Sequence, residues 1–328
     1  MKILITGVHG FVGSNLVKAL SKEHTIYGLD IISPIKEDVR FTFRWDYLDK
    51  ENEIPAVDAI IHLAGKAHDT KNKSAAEVYF KVNTDLTKKI FDYFLAHESI
   101  KKFVFFSTAK AAADKVEGVL TEDVVPSPVG PYGESKIAAE NYIISKFQDS
   151  GFKFQETPND SESSELQTKS VYIFRPCMIH GPGNKGNLNL LYGVVKKGIP
   201  WPLGAFENRR TFTSIENICF AVNGVLTKDV ASGIYNMGDD EALSTNELIE
   251  EICKSLGKKA HIWKLPRGLM NGVAKIGGAL HLPLNPERLR KLTEDYVSSN
   301  AKIKRALGVE KMPIDAREGL QRTLESFK

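Results

Sequence analysis

The chain has 328 residues, which is enough for one large domain or for a domain with a smaller appendage. Hydrophobic residues make up 42% and charged residues 26%, a composition that is typical of globular proteins and excludes a largely disordered chain. The 44 basic and 41 acidic residues leave a net charge of +3, too even a balance to indicate a nucleic-acid partner.

In the first half of the chain, short apolar runs alternate with longer amphipathic stretches. The runs are rich in Ile, Val and Phe, as is typical of strands that are buried on both faces. Strands are predicted over Lys2–Thr6, Thr25–Leu29, Ala59–Leu63, Lys102–Ser107 and Ser170–Phe174, and helices over Val12–Ser21, Ala75–Ala96 and Ser135–Ser150. This alternation predicts an α/β fold with a doubly wound parallel sheet.

The polar, acidic residues 151–169 interrupt this pattern and are predicted to form a solvent-exposed loop, either a tolerated insertion or a lid. Beyond them, further helices are predicted over Ser244–Leu256, Pro266–Leu280, Pro286–Thr293 and Ile314–Phe327. We therefore expect residues 1–175 to form one domain and residues 176–328 a smaller, α-rich lobe, some segments of which return to the first domain.

Three glycines, Gly7, Gly10 and Gly13, follow the first predicted strand at intervals of three. Glycine lets the backbone approach a pyrophosphate, and the helix that follows offers unpaired N–H groups and a positive dipole end. Because glycine-rich turns also occur without a ligand, this spacing alone leaves a plain turn open. The second predicted strand leads to Asp30, whose carboxylate suits a ribose 2′-hydroxyl and would repel a 2′-phosphate. Together these features favour a dinucleotide site, with NAD preferred over NADP.

Tyr132 and Lys136 stand four residues apart at the start of a helical pattern, and so lie on one face of the helix. A nearby ammonium favours the phenolate and would lower the pKa of the tyrosine. Taken alone, this pair is better explained as a surface tyrosine with a solvated lysine. Ser107 and Thr108, however, end a buried strand and so place a hydroxyl at the carboxyl edge of the sheet, where doubly wound folds bind ligands.

In chain order, these motifs resemble those of the extended short-chain dehydrogenase/reductase family. The motifs are TGVHGFVG, Asp30, HLAG (His62–Gly65), Asn83, Ser107-Thr108 and Tyr132-x-x-x-Lys136. Two later segments, FRPCMIHGPGN (Phe174–Asn184) and RRTFTSIENI (Arg209–Ile218), are similar to its nucleotide-sugar epimerase/dehydratase branch. The likeness covers nearly the whole chain. It implies a Rossmann-type sheet with a smaller α-rich C-terminal lobe for the substrate.

The resemblance also implies which residues bind NAD. They are Gly7, Gly10, Phe11, Val12, Gly13, Asp30, Asp46, Tyr47, Leu63, Ala64, Gly65, Asn83, Ser107, Tyr132 and Lys136. Within this set, Asp30 would hold the adenosine ribose, Asp46 and Tyr47 would border the adenine, and Asn83 would lie near the nicotinamide ribose.

For the reaction, the resemblance implies that Tyr132 is the general acid/base, that Lys136 tunes its pKa, and that Thr108 steadies a sugar oxygen. The substrate would contact Thr108, Met178, Asn187, Leu188 and Arg210. Arg210 would bind the substrate pyrophosphate, because the forked guanidinium matches its oxygens.

The residues after Thr108 separate the reactions of this branch. A 4,6-dehydratase would need an Asp-Glu pair there, but Ala109 and Lys110 occupy these positions, so dehydration is not expected. C4 epimerisation of a UDP-hexose or UDP-N-acetylhexosamine needs only reversible hydride transfer between the sugar and NAD, and is the preferred prediction. Met178 and Ala112-Ala113 depart from the epimerase pattern and keep open the reduction of a UDP-4-keto-6-deoxy (amino)sugar.

A hypothesis of another class is a non-catalytic nucleotide-binding protein on the same fold, which the intact Tyr132 and Lys136 oppose. Cys177, Cys219 and Cys253 are far apart and form no C-x-x-C pair, so neither a disulfide framework nor a metal site is predicted. No apolar run is long enough to cross a bilayer, and we expect a cytoplasmic protein without a membrane partner. The resemblance further implies a homodimer formed through the helices near residues 75–96 and 135–150, with a place in polysaccharide biosynthesis.

Overall fold

The computed structural model describes residues 1–50, 53–67, 75–154, 168–184, 186–279 and 285–328. The strands in these ranges are β1 (Lys2–Thr6), β2 (Thr25–Asp30), β3 (Thr42–Arg44), β4 (Ala59–His62), β5 (Lys102–Phe106), β6 (Val119–Leu120), β7 (Ser170–Pro176), β8 (Met178–His180), β9 (Arg210–Ser214), β10 (Gly233–Met237), β11 (Ala242–Leu243) and β12 (Val297–Ser298). The helices are α1 (Phe11–Leu20), α2 (Ala76–Tyr79), α3 (Leu86–Ala96), α4 (Ala109–Ala112), α5 (Pro131–Asp149), α6 (Asn187–Lys196), α7 (Ile215–Thr227), α8 (Thr245–Ser255), α9 (Arg267–Ala279), α10 (Pro286–Thr293), α11 (Ala301–Leu307) and α12 (Ala316–Glu325). A π-helical stretch, Phe80–Asp85, joins α2 to α3.

Seven strands form one parallel sheet in the order β10-β7-β5-β4-β1-β2-β3. From β1 the chain first builds the sheet outward through β2 and β3, then returns to the other side of β1 with β4 and continues to β10. The predicted doubly wound α/β fold is thereby confirmed. In such a sheet the carboxyl ends of β1 and β4, where the direction reverses, form the crevice that binds ligands.

Successive residues of β1 point to opposite faces of this sheet and join two separate hydrophobic clusters. Ile3 and Ile5 pack with side chains of α1, α7 and α11, whereas Leu4 packs with side chains of α3 and α5. All three side chains are fully buried. Burial on both faces explains why the strand is an unbroken apolar run rather than an alternating one.

The second half of the chain adds a small sheet of order β11-β9-β8 and a third hydrophobic cluster between α6, α8 and α12. It also supplies β10 and α7 to the first sheet and its packing layer. The predicted division into residues 1–175 and 176–328 stays a prediction. Within the described ranges, no helix is both long and apolar enough to cross a membrane.

Two predicted boundaries differ from the structure. Helix α5 begins at Pro131, earlier than predicted, so Tyr132 lies in its first turn. The predicted exposed loop is wrong at its C-terminal end, because Lys169 is buried and donates hydrogen bonds to the carbonyls of Phe94, His97 and Ile100 around the end of α3. Residues 155–167, the centre of the predicted loop or lid, lie outside the described residues.

Candidate active site

The turn between β1 and α1 depends on its glycines. Gly7 has a φ of +67°, in the left-handed region that favours glycine, and Gly10 N donates to Gly7 O across the turn. A Cβ on Gly13 would lie 2.5 Å from Gly7 O and 2.9 Å from Val8 Cα. Helix α1 can therefore rest against the turn only because Gly13 has no side chain.

The N-terminus of α1 is open toward a cavity. Gly10 offers no side-chain cap, and the first intrahelical hydrogen bond runs from Ser14 N to Gly10 O. The N–H groups of residues 11–13 therefore have no acceptor within the helix, and Phe11 and Val12 line the cavity. A helix end of this kind suits an anionic group such as a pyrophosphate.

Asp30 lies at the end of β2, beside the glycine turn. Its carboxylate accepts hydrogen bonds from His9 N at 3.1 Å and from Ile31 N at 2.7 Å. These bonds hold the carboxylate next to the turn, where the sequence predicts the ribose of a dinucleotide.

The cavity has a volume of about 450 Å³ and lies at the carboxyl edge of the sheet. Among its described lining residues, Lys110, Lys136 and Arg210 are cations and none is an aspartate or glutamate. The sequence-predicted residues that line it are Phe11, Val12, Leu63, Gly65, Ser107, Thr108, Tyr132, Lys136, Met178, Asn187 and Arg210. This wall suits an anionic ligand.

Leu188 does not lie on this wall. It is 2% exposed and packs in the third hydrophobic cluster, because successive residues of a helix point about 100° apart, so that Asn187 faces the cavity and Leu188 the core. The predicted substrate contact of Leu188 is therefore corrected to a packing role.

Asn83 lies in the π-helical stretch and is fully buried. Its Oδ1 accepts from Lys66 N at 2.7 Å, and its Nδ2 donates to Ser135 Oγ at 2.9 Å. The amide thus ties the loop after β4 to helix α5. Ala64 N, at the start of that loop, donates to Thr6 Oγ1.

Asp46 and Tyr47 lie in a 3₁₀ turn that follows β3, outside the cavity wall. The exposed Asp46 carboxylate pairs with Lys50 at 3.0 Å, and the Tyr47 ring packs on Phe43. Their predicted role beside the adenine stays a prediction.

Helix α5 brings Tyr132 and Lys136 to the cavity one turn apart, opposite Thr108 at the end of β5. Burial raises the pKa of Tyr132, and a hydrogen bond with Thr108 acts against that increase. Lys136 Nζ donates to Phe106 O at 2.8 Å. The sequence predicted a lowered pKa for Tyr132; that prediction is wrong in this structure, because the desolvation of the phenol outweighs the favourable interactions.

Lys136 is itself buried, and burial lowers its pKa to about 8 despite the opposing effect of the Glu140 carboxylate. An amine with this pKa is still mostly charged at pH 7. The ammonium therefore remains available to favour a phenolate or to donate hydrogen bonds to a ligand.

A buried ion pair below this wall was missed from the sequence. Glu140 and Arg175 are almost completely buried, with Arg175 Nη2 2.6 Å from Glu140 Oε2. The Ser107 hydroxyl donates a short hydrogen bond to the same carboxylate. Glu140 follows Lys136 by four residues and so continues the helix face that carries Tyr132. This spacing was the signal that could have revealed it.

Arg210 begins β9 and projects its guanidinium into the cavity wall, where Nη1 donates to Lys291 O at 2.5 Å. Met178 begins β8, which runs parallel to β9, so the two residues share one side of the cavity. Among the residues described, no group of three or more His, Cys, Asp or Glu side chains could hold a metal ion.

The chain is similar to known proteins in both sequence and fold. The model of the NAD dependent epimerase/dehydratase family matches residues 3–238. The UDP-glucose 4-epimerase of Vibrio cholerae is 30% identical over 283 residues, which are 80% of this chain and 78% of that protein. The N-acetyl-alpha-D-glucosaminyl-diphospho-ditrans,octacis-undecaprenol 4-epimerase of Escherichia coli O157:H7 is 25% identical and covers 98% of this chain and 94% of its own length. The crystal structure of the UDP-glucuronic acid 4-epimerase of Bacillus cereus in complex with NAD aligns with a TM-score of 0.73 at 21% identity, over 100% of this chain and 98% of that one.

Proposed function

The chain belongs to the NAD dependent epimerase/dehydratase family, and from this membership we propose that it catalyses the C4 epimerisation of a UDP-hexose or a UDP-N-acetylhexosamine. One observation carries the proposal: Thr108, Tyr132 and Lys136 share a cavity whose described lining contains no carboxylate. Such a site can exchange a proton with a sugar hydroxyl. It has no acid of the kind that would expel a second hydroxyl.

The residues present fit NAD. The open N-terminus of α1 meets the cavity beside the glycine turn, and the Asp30 carboxylate is held next to it by backbone N–H groups. The N–H groups of residues 11–13 would hold the pyrophosphate, and Asp30 a ribose hydroxyl. When bound, NAD supplies an acceptor for the C4 hydride and returns it.

In this proposal Tyr132 accepts the proton of the C4 hydroxyl as the phenolate and, as the phenol, returns it to the epimeric alkoxide. Thr108 donates or accepts at the same sugar oxygen and orients it. Lys136 is mostly charged at pH 7, since its pKa is about 8, and an ammonium one helical turn from Tyr132 would favour the phenolate. The chain thus provides position and a proton carrier.

The cations of the cavity support a diphosphate substrate. Arg210 offers a forked donor set, Lys110 lies on the same lining, and Asn187 adds an uncharged donor from the start of α6. Ala109 and Lys110 occupy the positions after Thr108, which argues against an elimination step at this wall.

The experiment is a direct assay of purified protein with UDP-glucose and with UDP-N-acetylglucosamine, followed by NMR for the C4 epimer. The proposal predicts conversion without net consumption of NADH. The Tyr132→Phe variant should still bind NAD through the glycine turn and Asp30 but lose turnover by about 10²- to 10⁴-fold. No conversion of either sugar, together with consumption of NADH or NADPH on a UDP-4-keto-6-deoxy sugar, would establish the reductase instead. Turnover by Tyr132→Phe at the wild-type rate would refute the assigned mechanism.

We further propose a cytoplasmic homodimer, formed through the outer faces of α3 and α5, that acts in polysaccharide biosynthesis. These helices lie side by side on one face of the sheet, where Tyr142 Oη donates to Asp92 at 2.6 Å. Sedimentation equilibrium should return twice the mass of the 36.5 kDa chain. A single-chain mass across the micromolar range would contradict it.

A further inference from the structure

Helix α9 carries more apolar surface than the protein covers. Met270 and Ala274 are buried against Leu203 and Leu289. Leu269, Val273 and Ile276 stand at intervals of four and three residues, which places them in one stripe. They are 54%, 43% and 61% exposed. The apolar arc of the helix therefore extends from the buried side onto a solvent-facing stripe.

The segment before α9 extends this surface. Trp263 is 54% exposed although its backbone is fixed by a hydrogen bond from its N to Trp201 O. Arg267, at the start of α9, lies over the Phe206 ring and donates to Ala205 O. The exposed tryptophan and the exposed helix stripe thus belong to a short, well-anchored part of the chain.

The charge of this region is of one sign. Residues 252–286 contain six Lys or Arg residues and no Asp or Glu. The six are Lys254, Lys258, Lys259, Lys264, Arg267 and Lys275. The rest of the chain holds 38 basic against 41 acidic residues, because these six belong to a total of 44. The net positive charge of the sequence is therefore concentrated in this window, which includes α9.

We propose that this surface, formed by Trp263 and the Leu269, Val273 and Ile276 stripe with its flanking cations, docks on an anionic lipid bilayer. An apolar stripe beside lysines and arginines suits the headgroup boundary, where apolar side chains enter the acyl region and cations meet lipid phosphates. Tryptophan is a favoured residue at that depth. The helix, at 13 residues, is too short to cross and would lie in the plane of the interface.

Docking of this surface on a membrane is independent of the proposed catalytic activity. It differs from the expectation drawn from the sequence, which considered only runs long enough to span a bilayer and so predicted no membrane partner. A protein partner would also bury the stripe, but it would need acidic groups matched to cations spread over residues 252–286. A negatively charged lipid surface meets that requirement without a specific arrangement.

The test is co-sedimentation of the full chain with vesicles of phosphatidylcholine and phosphatidylglycerol in equal parts, against vesicles of phosphatidylcholine alone. We expect binding to the anionic vesicles that weakens as salt rises. The Leu269→Ser/Ile276→Ser variant should bind at least tenfold more weakly. The substitutions Lys264→Gln and Lys275→Gln should each lower the affinity for anionic vesicles roughly fivefold. The matched control is Val125→Ser/Val129→Ser, which removes two even more exposed valines elsewhere and should bind like the wild type.

Circular dichroism and melting of each variant would establish that it is folded, since every substituted side chain is exposed. Equal sedimentation with both vesicle types, or none with either, would overturn the proposal. So would a loss of binding as large in the valine control as in the α9 variant. A change in the oligomeric state of Leu269→Ser/Ile276→Ser without any vesicle binding by the wild type would assign the surface to a protein contact instead.

Discussion

At neutral pH the buried ammonium of Lys136 should lower the free energy of unfolding of the protein, although the active site uses it. Burial lowers the pKa of this lysine from its ordinary 10.5 to about 8. Keeping the ammonium charged in the folded state therefore costs about 3 kcal/mol at pH 7. Replacing it with methionine of similar length removes that cost but leaves the Phe106 carbonyl without its donor, a loss of about 1–2 kcal/mol. We predict that Lys136→Met is about 1–2 kcal/mol more stable than the wild type at pH 7.

The sign of the pH dependence follows from the same values. Between pH 8 and 10.5 the unfolded chain keeps the proton that the folded chain releases, so the stability of the wild type rises across this range relative to the variant. The advantage of Lys136→Met is thus present below pH 8 and is lost by about pH 10.5. Turnover should fall by at least about 10²-fold at every pH, because the variant lacks the ammonium beside Tyr132.

Urea unfolding followed by circular dichroism at pH 7 and pH 10 measures both effects. Lys110→Met is the matched control, since Lys110 lies on the same cavity, is about a third exposed and pairs with Asp114. It should gain no stability at either pH. Two results would refute the reasoning from burial. The Lys136→Met variant could be less stable than the wild type at pH 7, or its stability advantage over the wild type could be the same at pH 7 and pH 10.

Three further predictions concern the glycine turn, Asp30 and the buried ion pair. Gly13→Ala should cost about 1–3 kcal/mol in urea unfolding and abolish NAD binding, because its Cβ would meet Gly7 O at 2.5 Å, whereas Gly193→Ala, which meets nothing within 4 Å, should be neutral or slightly stabilising. Asp30→Ala should raise the Kd for NAD by roughly tenfold or more in fluorescence titration and reduce the preference for NAD over NADP. An unchanged ratio of the Kd values for NADP and NAD would contradict the assignment of Asp30 to the ribose. Glu140→Gln should cost about 3–5 kcal/mol of unfolding free energy, and the double change Glu140→Leu/Arg175→Met should recover most of that loss. A double variant as unstable as Glu140→Gln would show instead that the ion pair contributes net stability.

The sequence predicted the parts of this molecule that depend on local patterns. The five predicted strands and the helices between them are present, since runs buried on both faces and amphipathic helices are visible in the chain itself. Spacing put Tyr132 and Lys136 on one helix face, and the strand end put Thr108 at the edge of the sheet, but only the family resemblance gave them their roles. The structure places all three on one cavity.

Features set by distant neighbours could not be predicted in the same way. Strand β3 has three residues, and β10 is a strand only because it pairs with β7. The position of Leu188 and the pKa of Tyr132 depend on what surrounds these residues in the fold. Motif position alone therefore predicted Leu188 at the substrate rather than in the core, and a lowered rather than a raised pKa for Tyr132. Glu140 and Arg175 are 35 residues apart in the sequence and meet only in the core.

The position of β10 at the edge of the seven-stranded sheet also constrains how the chain must fold during synthesis. A nascent chain that ends near residue 175 has β7 but not the strand that covers its outer edge, and β7 is an apolar run with unpaired backbone groups on that side. The sheet is complete only after residue 237 has emerged, because β8 and β9 lie between β7 and β10 in the sequence. A fragment cut at residue 175 is therefore expected to self-associate through β7, whereas one that ends after Met237 covers β7 with its own β10.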